Sequence, residues 1–230
     1  MISASIWKRG KYGEKMNVLA RAKLNLSLDV LSRREDGYHD LCMVMQTVDL
    51  ADELSLTEET GKGVRVYSDL RYLPGDERNL AAVAARKFWE ANGCQGRGLS
   101  IQIKKKIPVC AGMGGGSADA AAVLRALNDW SGLHLPVERL AQIGEQVGSD
   151  VPYCVLGGTA LAEGRGERLT PLPALPDCHI VVCKPSFPIS TPELFGCIDC
   201  RKIRCRPDTD GILLALQEGD LAGVARRLYN

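Results

Sequence analysis

Aromatic residues are scarce in this chain, at 5% of its 230 residues, and 29 basic against 28 acidic side chains leave a formal charge of only +1. A balance so close to zero lacks the electrostatic footprint of a dedicated nucleic-acid binder. Uninterrupted apolar runs of the length a bilayer requires are also missing, which excludes a spanning helix and argues against a membrane role. The nine cysteines are too few for a disulfide scaffold, and their number is odd. With no apolar leader and cleavage site to suggest secretion, reduced thiols in a cytoplasmic protein are expected. What the chain does have is a hydrophobic fraction of 45%, which argues against disorder and is ample for a core. Its size leaves room for one large domain or two small ones.

The first fifteen residues, MISASIWKRGKYGEK, are basic and patternless. They read as a tag, an upstream start or a disordered extension, and stay outside the fold. Beyond them Leu24, Leu26, Leu28 and Val30 alternate as in a half-buried strand, and Asp36-Gly37 marks a turn into a second apolar run. Short strands are expected at 54–56 and 64–67. Asn79 is a plausible N-cap for a helix that Gly93 closes. GLSIQIKKKIPV returns to strand alternation, and CAGMGGGSADAAAVLRALNDWSG is a glycine-rich loop opening an alanine-rich helix. Pro136 begins another helix that ends by Gly148, and Pro152 sits early in a further turn. TALAEG, GERLTPL and HIVVCKP read as strands, followed by helical patterns near 192–196 and 210–228. Strands and helices mixed in this way make the class α+β.

The stretch from Gly112 to Asp119 carries most of the chemistry. Glycines admit positive φ and let backbone N–H groups crowd an anion, and a helix N-terminus adds unpaired donors and its dipole. The combination suits a polyphosphate. Spacing excludes a Walker loop, since no lysine follows the glycines, and a dinucleotide fingerprint, whose third glycine would fall at Ser117. The competing reading is a tight strand–helix turn, which four glycines in five residues make hard to sustain. Lys104, Lys105 and Lys106 precede the loop, and an exposed strand edge accounts for two of the three.

Three segments together resemble the GHMP small-molecule kinase superfamily. These are Ala22–Leu26 with Arg33–His39 (RREDGYH), Pro108–Asp119, and Gly148–Pro152 (GSDVP). The AKLNL and RREDGYH pair narrows the resemblance to the branch that phosphorylates a cytidyl-diphosphate substrate in non-mevalonate isoprenoid biosynthesis. The resemblance implies a two-domain fold, with an N-terminal GHMP domain over 16–158 and a partial second domain over 159–230. Nothing after Cys205 fits the family's second glycine motif, so the second domain is expected to be incomplete. It further implies an ATP-dependent kinase with Mg²⁺, acting on a small molecule as a monomer or weak homodimer.

Carried over by position, Asp150 is the catalytic carboxylate and Lys23 the catalytic lysine. Phosphoryl transfer asks mainly for positioning and charge neutralisation, roles that suit this pair. ATP would be held by Gly112, Gly114, Gly115, Gly116 and Ser117, with Lys105 and Asn79 near the nucleoside. Tyr38 and Phe195 would stack on the cytosine, His39 would hydrogen-bond it, and Asn25 and Thr191 would touch the rest of the substrate. Each residue also has a plainer reading: Asp150 as a helix cap, Lys23 as an exposed strand lysine, Phe195 as a core contact. A GHMP kinase for homoserine or mevalonate, and a silent nucleotide-binding module, remain as alternatives. No carboxylate cluster identifies Mg²⁺ ligands. Cys197-Ile-Asp-Cys200, near Cys205, lacks the second pair that a zinc site shows, so free surface thiols are expected.

Overall fold

The computed structural model describes residues 15–93, 98–185, 187, 191–198 and 200–229. The expected extension lies outside them, except for Lys15, which opens the first strand. The chain forms two compact units that interleave along the sequence. The first takes the described residues up to Ala22, Val48–Pro108 and Gly114–Leu156; the second takes Lys23–Thr47, Val109–Met113 and the chain from Gly157 onward. A single division at 158/159 therefore misses that residues 23–47 and 109–113 pack with the C-terminal part. The reason is strand length. Strands β1 (Lys15–Arg33) and β2 (His39–Glu59) have 19 and 21 residues, well beyond the usual 3–10, and each serves both units. The strand expected at 54–56 is simply the far half of β2.

In the first unit, that far half pairs antiparallel with β4 (Gly98–Lys104), Leu54 opposite Ile103 and Leu56 opposite Ile101. β4 pairs in parallel with β3 (Val64–Ser68). Four helices complete this unit: α1 (Leu80–Ala91), α2 (Gly115–Ser131), α3 (Val137–Glu145) and α4 (Val151–Leu156). Asn79 caps α1 as expected, its Oδ1 accepting from Ala81 N at 3.0 Å. α1 packs on α2 through buried alanines on both helices, whose small side chains allow close approach. Phe88, Leu124, Leu127 and Ile143 fill the remaining space and are fully buried.

In the second unit, the near half of β2 pairs antiparallel with β5 (Thr159–Gly164), which pairs antiparallel with β6 (Arg168–Pro171). Leu26, Val44, Ile212, Ala215, Leu216 and Val224 form its core. Polar residues of β1 are buried as well as apolar ones: Lys23, Ser27 and Asp29 alternate against Leu26 and Val30, so both faces of the strand are covered. The segment 179–185, expected as a strand, pairs with no strand among the described residues. Its apolar side chains are exposed, Val181 at 94%. Helix α5 (Thr191–Gly196) follows. The pattern at 210–228 forms two helices, α6 (Thr209–Glu218) and α7 (Leu221–Ala225), because Gly219 takes a left-handed φ of 67° and ends the first.

Candidate functional site

The glycine segment behaves as its composition predicts. Gly112 and Gly114 both adopt a φ of +68°, where a side chain would be strained, and Gly114 is the N-cap of α2 with no side-chain cap bond. The first-turn amides of that helix are therefore not occupied by a capping side chain. Gly115 and Gly116 start the helix, and each is closely approached. A Cβ on Gly115 would lie 3.2 Å from Ile107 Cγ2 and 3.3 Å from Lys105 Nζ, and one on Gly116 would lie 3.3 Å from Leu80 Cδ1. Ser117 Oγ would lie 4.0 Å from a Cβ on Gly148, so the GSD segment and the start of α2 are neighbours in the first unit. Asp150 directly precedes α4, its backbone carbonyl accepting from Cys154 N at 3.0 Å.

The lysine run divides as expected, two members being exposed. Lys104 and Lys106 are exposed and pair with Glu53, whereas the Lys105 side chain is buried. Its ammonium lies between Asp52 and Asp119, with Asp119 Oδ2 at 2.7 Å. Both carboxylates are themselves buried, and Asp119 Oδ1 has no hydrogen-bond partner among the described residues. Burial pushes the Asp119 carboxyl up to about 7, with the Asp52 charge adding to the rise and Lys105 opposing it. Burial works to lower Lys105, yet the two carboxylates hold its ammonium above the usual lysine value. Lys105 thus sits in an ion trio that the sequence reading did not contain. Asn79 is also engaged: besides capping α1, its Nδ2 donates to Pro74 O at 2.9 Å.

In the second unit, Lys23 is buried, which disposes of the exposed-strand reading. Its Nζ donates to Asn25 Oδ1 at 3.2 Å, and its backbone N–H donates to Met113 O at 3.1 Å, tying β1 to the loop. The RREDGYH turn closes with Gly37 at a φ of 85° and Arg34 N donating to Tyr38 O at 2.8 Å. Arg34 braces the turn by donating to Asp36 and Asp40, and its bond holds the Asp40 carboxyl below the usual range. Tyr38 emerges 55% exposed, with the Arg165 guanidinium 5.3 Å from its ring centroid. His39 turns inward, and its Nε2 is buried without a hydrogen-bond partner among the described residues. The Phe195 ring lies 5.5 Å from the His39 ring at 45°. Tyr38, His39 and Phe195 thus belong to one unit, and Phe195 is only half-buried. Thr191 opens α5, and its side chain lies outside the described residues. Cys178, Cys183, Cys197 and Cys205 are exposed free thiols, and Cys200 is half-buried.

Sequence reasoning missed Asp52, Asp119 and Arg165. Asp119 left a signal, an acid set among alanines in the first turns of α2. Arg165, in the turn between β5 and β6, left none.

Residues 79–158 match the model of the GHMP kinases N terminal domain. A 4-diphosphocytidyl-2-C-methyl-D-erythritol kinase of Bacillus cytotoxicus is 45% identical over 216 residues, covering 94% of this chain and 74% of the relative. One from Exiguobacterium sibiricum is 47% identical over 213 residues, covering 93% and 74%. A crystal structure of 4-(cytidine 5'-diphospho)-2C-methyl-D-erythritol kinase superposes with a TM-score of 0.70 at 35% identity, covering 93% of this chain and 78% of that one. Homoserine kinase from Cytophaga hutchinsonii, at 22% identity and a TM-score of 0.65, shares the fold.

Proposed function

Because this chain belongs to the 4-diphosphocytidyl-2-C-methyl-D-erythritol kinase family, among the GHMP kinases, we propose that it transfers the γ-phosphoryl group of ATP to the 2-hydroxyl of that cytidyl substrate. The reaction belongs to non-mevalonate isoprenoid precursor synthesis. The observation that carries the substrate assignment is the buried, unpartnered Nε2 of His39 beside the Phe195 ring. A buried polar atom without a partner costs stability, and a ligand that hydrogen-bonds it removes that cost. A cytosine offers both a flat face for aromatic rings and a polar edge for His39. Tyr38 supplies a second ring, and the Arg165 cation over it is an arrangement of the cation–π kind.

The phosphates of ATP are read as lying on the glycine segment, where Gly112 and the uncapped first turn of α2 offer backbone N–H groups. Asp150 would accept a hydrogen bond from the acceptor hydroxyl and orient it. The Lys23 ammonium, held on β1 by Asn25, would offset negative charge on the oxygens exchanging the phosphoryl group. Among the described residues no three His, Cys, Asp or Glu side chains gather as a metal cage. A Mg²⁺ would be carried mainly by the nucleotide phosphates, where it would neutralise charge. No helix among the described residues is long and apolar enough to cross a membrane, and the exposed free thiols suit a reducing compartment such as the cytoplasm.

The test measures ADP formation from ATP, Mg²⁺ and the cytidyl substrate. Turnover should require that substrate and fall by about 10²–10⁴-fold in Asp150→Asn, the range for a positioned acid–base group. ADP formation driven equally well by homoserine or mevalonate would defeat the substrate assignment. ATP binding with no transfer to any acceptor would instead favour a silent nucleotide-binding module.

A further inference from the structure

Three successive backbone N–H groups at the exit of β4 donate to carboxylates. Lys105 N donates to Asp69 Oδ1 at 3.1 Å, Lys106 N to Asp52 Oδ1 at 2.6 Å and Ile107 N to the same oxygen at 2.8 Å. The chain leaving the sheet is therefore fixed residue by residue just before Pro108. From this exit the Lys105 side chain reaches Asp119 on α2, fourteen residues later, while also holding Asp52 on β2. The two stems of the glycine segment are thus joined at their base by one buried ammonium. Gly115 rests directly on that joint, between Lys105 Nζ and Ile107, with no room for a side chain that leaves both in place. The lysine side chain is 4% exposed and both carboxylate side chains 5% or less.

We propose that Lys105, Asp52 and Asp119 form a clasp that sets the position of the first turn of α2, so that Lys105 serves the nucleotide from beneath and does not touch it. This rests on the reading of that turn as the phosphate site and deepens it. Lys105 is then a positioning residue. Buried ion pairs in low dielectric resist displacement, because separating the partners leaves an uncompensated charge. A backbone anion site depends on such rigidity, since its donors are useful only where the phosphate oxygens will be.

A phosphate ligand and a clasp respond oppositely to loss of Asp119. If Lys105 bound phosphate directly, removing a carboxylate that competes for its ammonium would leave ATP binding unchanged or tighten it. A clasp loses its hold on α2, and ATP binding weakens. The experiment measures kcat and the KM for ATP at saturating cytidyl substrate, with thermal melting, for wild type, Asp119→Ala, Asp119→Asn, Lys105→Met and Lys106→Met. Asp119→Ala leaves a balanced Lys105–Asp52 pair, so it should fold, and it decides the question even if Lys105→Met does not. Its KM for ATP should rise about tenfold with kcat little changed, as for a displaced binding segment. Asp119→Asn, which keeps the shape and one acceptor, should recover most of that loss, and the exposed Lys106→Met should match wild type. An Asp119→Ala protein with a lower melting temperature but an unchanged KM would reduce the trio to structural support and overturn the proposal, as would a lowered KM. Failure of the wild type to bind ATP would be a different result, defeating the phosphate-site reading itself.

Discussion

Beneath α2, Lys105 meets two carboxylates and three backbone N–H groups find acidic acceptors, all without a ligand. At the head of β2 the arrangement is the reverse. Tyr38 stands more than half exposed, His39 keeps a buried nitrogen with no partner, and Phe195 is half covered. The first region pairs its ammonium and its backbone amides internally, although Asp119 Oδ1 stays unpartnered among the described residues; the second leaves hydrogen bonding and ring faces to be completed. A site built from backbone amides has no side chains of its own to adjust, so the fold must place it in advance. A site for a flat polar base can instead leave donors and rings ready, since the base supplies the missing partner.

Substitutions should separate the two regions first by stability. Lys105→Met removes the cation between two buried carboxylates and should cost about 3–5 kcal/mol, the range for breaking one side of a buried pair. Denaturant unfolding measures it, and Lys106→Met, whose exposed side chain pairs with exposed Glu53, should show no comparable loss. A small loss at Lys105 would mean that the trio is not the rigid member of the comparison. Tyr38→Ala should act in the opposite sense, leaving the folding midpoint nearly unchanged because the ring is mostly in solvent. Its expected cost lies in binding, about 1–3 kcal/mol for one lost base–aromatic stack, read as a raised KM for the cytidyl substrate. Phe195→Ala should follow it. An equal rise in the KM for ATP would blur the distinction between the regions.

How far each region could be read in advance follows from how local its determinants are. The glycine segment, the Asn79 cap and the Asp36-Gly37 turn depend on residues within a few positions of one another, and all three appear where expected. Tyr38 and His39 were recognisable because a whole motif surrounds them. The trio was not, since Asp52, Lys105 and Asp119 come from three elements separated by up to 67 positions and meet only through packing. Lys105 therefore read as a cation for the nucleotide. The 179–185 strand failed for a related reason: alternation marks a segment able to pair, but whether a partner strand lies beside it is a long-range fact. Division into domains suffered likewise, because nothing local in β1 or β2 says that one strand will serve two units.

The comparison can be sharpened once more through pH, since the buried trio sets one ammonium against two carboxyl groups. Lys105 from the exit of β4 and Asp52 from β2 are the charged groups acting on Asp119, and burial dominates, placing its carboxyl at about 7. In the unfolded chain an aspartate titrates near 3.9, about the usual value. Between these values the folded protein keeps a proton that the unfolded chain has released. The raised value therefore contributes stability that is fully present below about pH 4 and is lost as pH rises through about 7. The slope this group adds is at most about 1.4 kcal/mol per pH unit, smaller than either substitution's largest expected effect. Unfolding midpoints from pH 5 to 8 should fall in the wild type more steeply than in Asp119→Asn, which carries no titrating proton at that position. Equal slopes in the two proteins would place the proton elsewhere and remove the claim that the clasp holds one. A difference would mean that the trio owes part of its balance to a proton on Asp119, so that rising pH loosens it.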